Sequence, residues 1–291
     1  MPSIMTRCGT EIYVKDRGVG RPLVLIHGWP LSADSWDDVA VPLANAGFRI
    51  IAYDRRGFGR SSQPWDGYNY DTLSDDLADV IAKLQLSDVT LIGFSMGGGE
   101  VARFLSRHGK SNVHSVALIS SVVPFMLKDD TNPHGVPQEV FDHMLEGLIE
   151  DRSHFFTSFF KDFYGVGALS RQVSDEWLAW THSMAMQASL KATLDCVNVF
   201  ATTDFRPDLK SFDLPTLIVH GTLDKTVPID ATARPAAQAI CGSQLIEYEG
   251  APHGIFATHR AQLIADLIRF CSRRIGSAIA NDFENGARLL R

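Results

Sequence analysis

The 291-residue chain is long enough to bury a large core, and 45% hydrophobic with 21% charged residues is the balance of a folded globular protein, not a disordered one. A formal net charge of -7 with no basic run leaves nothing to neutralise a phosphate backbone, which excludes nucleic acid as a partner. No stretch reaches the roughly 18 apolar residues of a membrane span, since "SVALISSVVPFML", the nearest, is broken by serine and proline; no membrane partner is expected.

The N-terminal "MPSIMTRCGTEIYVKDRG" has no apolar segment behind a basic start, and reads as two strands forming an antiparallel hairpin around Gly9 at a sheet edge. Short apolar, β-branched runs follow: "PLVLIH" (22–27), "RIIAYD" (49–54), "VTLIGF" (89–94) and "VHSVALI" (113–119). Between them lie segments of helical period, such as Leu73, Leu77, Val80, Ile81 and Leu84. Apolar strands alternating with helices predict an α/β protein, a mostly parallel central sheet with helices on both faces.

The alternation stops after Ile119 and resumes with "PTLIVH" (215–220) and "QLIEYE" (244–249). The intervening region is helical and aromatic, with "HFFTSFFKDFYG" placing Phe155, Phe156, Phe159, Phe160 and Phe163 on one broad helical face. The expected organisation is a sheet domain over 1–122 and 207–272, a helical cap inserted over 123–206, and a tail over 273–291 that outlasts the last helix. Cys8, Cys196, Cys241 and Cys271 are scattered without a CxxC pair, as expected of free thiols in the cytoplasm.

Ligands of open parallel sheets collect at the carboxyl ends of the strands. Ser95 stands at such an end, in "GFSMG", between "VTLIGF" and the helix opening "MGGGEVARFL". The pentapeptide alone is a weak signal, but a sharp strand-to-helix turn with small neighbours at Gly93, Gly97 and Gly98 is what pushes a serine hydroxyl into a cleft. A serine needs a base, and of ten histidines His253 is the one in a loop at the carboxyl end of the last strand, "EGAPHGIF", with His259 in the next helix as its rival. The orienting acid expected is Asp224 in "VHGTLDKTVP"; Asp230 reads as a helix N-terminal residue. Chain order is then Ser95, Asp224, His253.

The helix N-terminus offers Met96 N–H to a developing oxyanion, and the loop "HGWP" offers Trp29 N–H, with Pro30 restricting Trp29 to extended backbone. His27 reads as a structural hydrogen-bonder, and His220 as packed or hydrogen-bonded at a strand end. Phe125, just past a strand end, is the expected pocket residue, whereas most phenylalanines of the aromatic face are expected in the cap's own core. There is no HExxH, paired-cysteine or EF-hand motif, and no GxGxxG after a strand, so neither metal nor cofactor is expected.

The stretches "HGWPLSADSWD", "AYDRRGFGRSSQP", "IGFSMGGGEVARF", "ALISSVVPFML", "NPHGVPQEVFD" and "EGAPHGIFATH" resemble the cofactor-free haloperoxidase, perhydrolase and arylesterase group of the α/β-hydrolase superfamily. The resemblance implies the α/β-hydrolase fold, a triad of Ser95, Asp224 and His253, and an oxyanion hole of Trp29 and Met96 amides. It implies a small-molecule ester substrate, with hydrogen peroxide replacing water where Pro30 favours it, and a homo-oligomer. Haloalkane dehalogenases and epoxide hydrolases would place Asp where Ser95 stands. A lactonase or amidase using the same site, or a ligand receptor that kept the fold, are the alternatives.

Overall fold

The computed structural model describes residues 3–167 and 170–272; the tail expected at 273–291 lies outside the described residues. Ser3–Met5 (β1) and Glu11–Arg17 (β2) pair antiparallel. Arg21–Ile26 (β3), Phe48–Tyr53 (β4), Val89–Phe94 (β5), Val113–Ile119 (β6), Thr216–Gly221 (β7) and Gln244–Tyr248 (β8) complete an eight-stranded sheet in the order β1-β2-β4-β3-β5-β6-β7-β8. Every pair from β4 to β8 is parallel, and β2 joins β4 antiparallel. β5 and β7 bury every residue, which is why they read as unbroken apolar runs and not as alternating ones.

Asp37–Asn45 (α1) connects β3 to β4, Tyr70–Lys83 (α2) connects β4 to β5, and Met96–His108 (α3) connects β5 to β6. In α2 the Asn69 side chain accepts from Thr72 N–H, and the face bearing Leu73, Leu77, Val80 and Ile81 is buried. The step from β3 to β4 runs one way along the sheet and the step from β5 to β6 runs the other. Right-handed crossovers therefore put α1 and α3 on opposite faces. The same reversal leaves a crevice outside the carboxyl ends of β3 and β5, where open α/β sheets bind ligands.

Between β6 and β7 come Gln138–Phe163 (α4), Asp175–Met186 (α5) and Leu190–Thr202 (α6), with α4 packed on both of the others. α4 is broken at Asp151 (φ -154°, ψ 90°), whose carboxylate accepts from His154 N–H at 2.9 Å and so caps the second half. That half carries the aromatic face. Ala233–Ala239 (α7), Ile255–Thr258 (α8) and Arg260–Cys271 (α9) end the fold, with α9 against α1 and α3 against α2. No helix among the described residues is long and apolar enough to cross a membrane.

Candidate active site

Ser95 is the single residue between β5 and α3, with φ 53° and ψ -120°. Three backbone bonds hold it there: its N–H donates to Ile119 O at 2.9 Å, and its carbonyl accepts from Gly98 N–H at 2.9 Å and Val122 N–H at 3.3 Å. The flanking glycines answer to packing. A Cβ on Gly93 would lie 2.5 Å from the Gly97 carbonyl oxygen, and one on Gly97 would lie 2.6 Å from that of Ile26, so only bare backbone lets α3 start this close to β5 and β3.

The loops leaving β7 and β8 bring Asp224 and His253 to this serine. Ser95 Oγ–H donates to His253 Nε2 at 3.0 Å, and His253 Nδ1–H donates to Asp224 Oδ2 at 2.6 Å. All three residues are buried. Asp224 Oδ1 accepts the amides of Thr226 and Val227 at 2.9 and 2.8 Å. Burial by itself would raise the Asp224 carboxyl, but the neighbouring His253 charge and hydrogen bonds from His220 and His253 outweigh it and hold the group down to about 2. The acid therefore stays ionised at neutral pH. The His253 ring is wedged between Phe163 and Phe94, with centroids 4.7 and 5.0 Å away. The two rivals lie elsewhere: His259 precedes α9 beside the Tyr248 ring, and Asp230 pairs on the surface with Arg234 at 2.6 Å.

β3 runs beside β5 with Ile26 opposite Gly93, so the "HGWP" loop leaves the sheet next to Ser95. A Cβ on Gly28 would sit 2.9 Å from the Ser95 Cβ. Among the described residues neither Trp29 N–H nor Met96 N–H, the first amide of α3, donates within the protein. The loop is fixed from below by a buried polar cluster. His27 Nδ1–H donates to Gly28 O at 2.9 Å, while its Nε2 accepts Arg55 N–H at 2.9 Å. The Arg55 guanidinium donates to His27 O at 2.7 Å and to Glu100 of α3 at 2.8 Å, and Tyr53 OH also meets Glu100. Burial and the Arg55 charge drive His27 well below the ordinary histidine range, so it is a neutral structural bridge. The Trp29–Pro30 peptide is cis.

Above Ser95 and His253 opens a cavity of about 310 Å³. Its walls are mainly apolar, with Phe141, Phe155, Phe159 and Phe200 from the inserted helices facing Trp29; Ser158, Asp162, Lys225 and Thr226 add polar groups. Two expected contacts are placed differently. Phe125 does not line the cavity, and the Arg206 guanidinium lies over its ring at 4.9 Å; Pro30, buried, does not line it either. The aromatic face of α4 is divided: Phe156, Phe160 and Phe163 are buried in the core, whereas Phe155 and Phe159 reach the cavity. His220, expected to be packed or hydrogen-bonded at its strand end, is buried with its Nε2 2.8 Å from the Val227 carbonyl oxygen. It lies 3.2 Å from Asp224 Oδ2, a contact that its spacing of four residues from Asp224 hints at.

The sequence model of the alpha/beta hydrolase fold matches residues 21–260. Among curated proteins the chain is 45% identical to the non-heme chloroperoxidase CPO-A1 of Kitasatospora aureofaciens, over 94% of this chain and 100% of that one. It is 37% identical to the bifunctional esterase/perhydrolase DCH of Acinetobacter calcoaceticus, over 93% and 99%. Among solved structures, the bromoperoxidase from Bacillus anthracis superposes with a TM-score of 0.90 at 42% identity, over 93% of this chain and 99% of that one.

Proposed function

The chain belongs to the alpha/beta hydrolase fold family, and from that premise we propose that it is a serine hydrolase of small carboxylic esters, working through an acyl-enzyme that water or hydrogen peroxide resolves. The observation that supports this reading best is the hydrogen-bonded line from Ser95 Oγ through His253 to Asp224 at the floor of an apolar cavity. His253 Nε2 takes the Ser95 proton as Oγ bonds to the ester carbonyl carbon, and the oxyanion rests on the Trp29 and Met96 amides. Collapse breaks the bond to the leaving oxygen, which receives the proton from His253. Asp224, ionised throughout, orients the imidazole and stabilises its charged form.

In the second half a nucleophile attacks the acyl carbon while His253 takes its proton, and that proton returns to Ser95 Oγ as the acid departs. Water yields the carboxylic acid and hydrogen peroxide yields the peracid. Peracid release accounts for halide oxidation in solution without a halide site. Residues 123–206 serve as the cap that shapes the acyl pocket. The scattered free cysteines support a cytoplasmic location, and the resemblance to its group supports a homo-oligomer, which its native mass tests.

A fluorophosphonate probe should label Ser95, found by peptide mass, and p-nitrophenyl acetate should turn over, with peracid formed from methyl acetate once hydrogen peroxide is added. Labelling without turnover would replace this reading by that of a ligand receptor.

A further inference from the structure

His253 is not the only imidazole on the acid. His220, the fifth residue of β7, is fully buried, and its Nε2 lies 2.8 Å from the Val227 carbonyl oxygen and 3.2 Å from Asp224 Oδ2. Its Nδ1 is buried with no partner among the described residues. Both atoms facing Nε2 are acceptors, so Nε2 carries the proton. The same Oδ2 thus receives His253 Nδ1–H at 2.6 Å and lies 3.2 Å from His220 Nε2, whose N–H is given to Val227 O. The turn is closed from both sides, since Val227 N–H binds Oδ1 while Val227 O binds His220.

We infer that His220 is a positioning residue for the Ser95 reaction, its Nε2–H setting both the orientation of Asp224 and the negative charge that Asp224 presents to His253. The inference rests on the reading of Ser95, Asp224 and His253 as a triad. The positive end of that N–H dipole beside Oδ2 offsets part of the carboxylate's charge and weakens its hold on the His253 proton, so the imidazole stays a weaker base and a readier acid. Without that dipole His253 holds its proton more tightly and Asp224 loses one wall of its socket. The other charged groups around this cluster are Glu247 of β8, in register with His220, and Lys225 and Asp162 at the cavity beside His253. Arg234 of α7 bonds Glu247 and holds its carboxyl below the ordinary range.

The test uses the full chain with 15N-labelled histidine, assigned through His220 and His253 variants. In the wild type, His220 is expected to carry its proton on Nε2. His220→Leu should raise the His253 titration midpoint by roughly 0.5 to 1 pH unit, the effect of one lost N–H dipole beside the acid, and lower kcat for p-nitrophenyl acetate by roughly 5- to 30-fold with KM unchanged. His220→Gln, which keeps an amide donor, should return the midpoint towards wild type. A His220 that is protonated at Nδ1, or a His253 midpoint that is the same with leucine, overturns the inference. The tautomer is read in the wild-type protein, so a leucine variant that fails to fold leaves the test standing. These signals report on the histidines whether or not Ser95 labels; absence of labelling would strike the esterase reading alone.

Discussion

The strand ends and the helices inserted between β6 and β7 meet at one cavity and contribute opposite things to it. From the strand ends come polar atoms held by backbone: Ser95 clamped by three main-chain bonds, Asp224 by two amides, and the Trp29 loop tied through His27 and Arg55. From α4 and α6 come apolar rings, with Phe159 and Phe200 edge-on to the Trp29 indole at 5.4 and 5.6 Å. A reacting set of atoms tolerates little misplacement, and a sheet's hydrogen-bond ladder supplies that precision. An apolar wall needs volume more than exact position, and helices packed side chain on side chain supply it. On this division, the proposed chemistry would reside at the strand ends and selectivity in the inserted helices.

Ser95→Ala puts the largest strain on that division. It should leave the fold intact yet lower esterase turnover by roughly five to six orders of magnitude and abolish labelling. Retained turnover would move the chemistry away from the strand ends. Asp224→Asn should lower kcat by about 10⁴-fold by disfavouring the working tautomer of His253, while Asp230→Asn leaves the rate unchanged. The reverse result would make Asp230 the acid.

The inserted helices are tested by two neighbouring phenylalanines. Phe159→Ala should reduce kcat/KM for p-nitrophenyl butyrate relative to the acetate by about 10-fold or more, as expected when an apolar contact to substrate is lost. Phe160→Ala should instead cost about 3–5 kcal/mol of stability in a denaturant titration and leave that ratio alone. If the two variants behaved alike, wall and core would not be separate roles. Pro30→Leu should have the smallest effect: a fall of up to about tenfold in the ratio of peracid to acid from methyl acetate with hydrogen peroxide, the equivalent of ~1.4 kcal/mol, with Ser95 labelling preserved. An unchanged ratio would remove Pro30 from the choice between water and peroxide.

The same division governs what could be read from the sequence. β5 and β6 were legible to the residue and β3, β4 and β7 to within one, because strands buried on both faces are apolar without interruption. Ser95, Asp224 and His253 could be singled out since each follows a strand end, and strand ends are legible. The cavity wall was not. Periodicity puts five phenylalanines of α4 on one face, but the break at Asp151 and the packing of α5 and α6 decide which of them meet core and which meet the cavity. Phe125 also follows a strand end, yet Arg206, remote in sequence, settles over its ring. That His220 is hydrogen-bonded was legible, but its approach to Asp224 was not, since the turn from Asp224 to Val227 folds back on its ring only in three dimensions.

Ser95 sits in a left-handed backbone conformation that a residue with a side chain adopts at a cost of about 1–3 kcal/mol, and glycine would adopt it without crowding. The most stable sequence for this backbone is therefore not the reactive one. Selection for robustness alone would drift this position towards glycine, and the catalytic role proposed for Ser95 is what would oppose it. Thermal resistance in this protein has to be accumulated elsewhere, in the packed faces of its helices, with the turn at Ser95 carried as a fixed deficit.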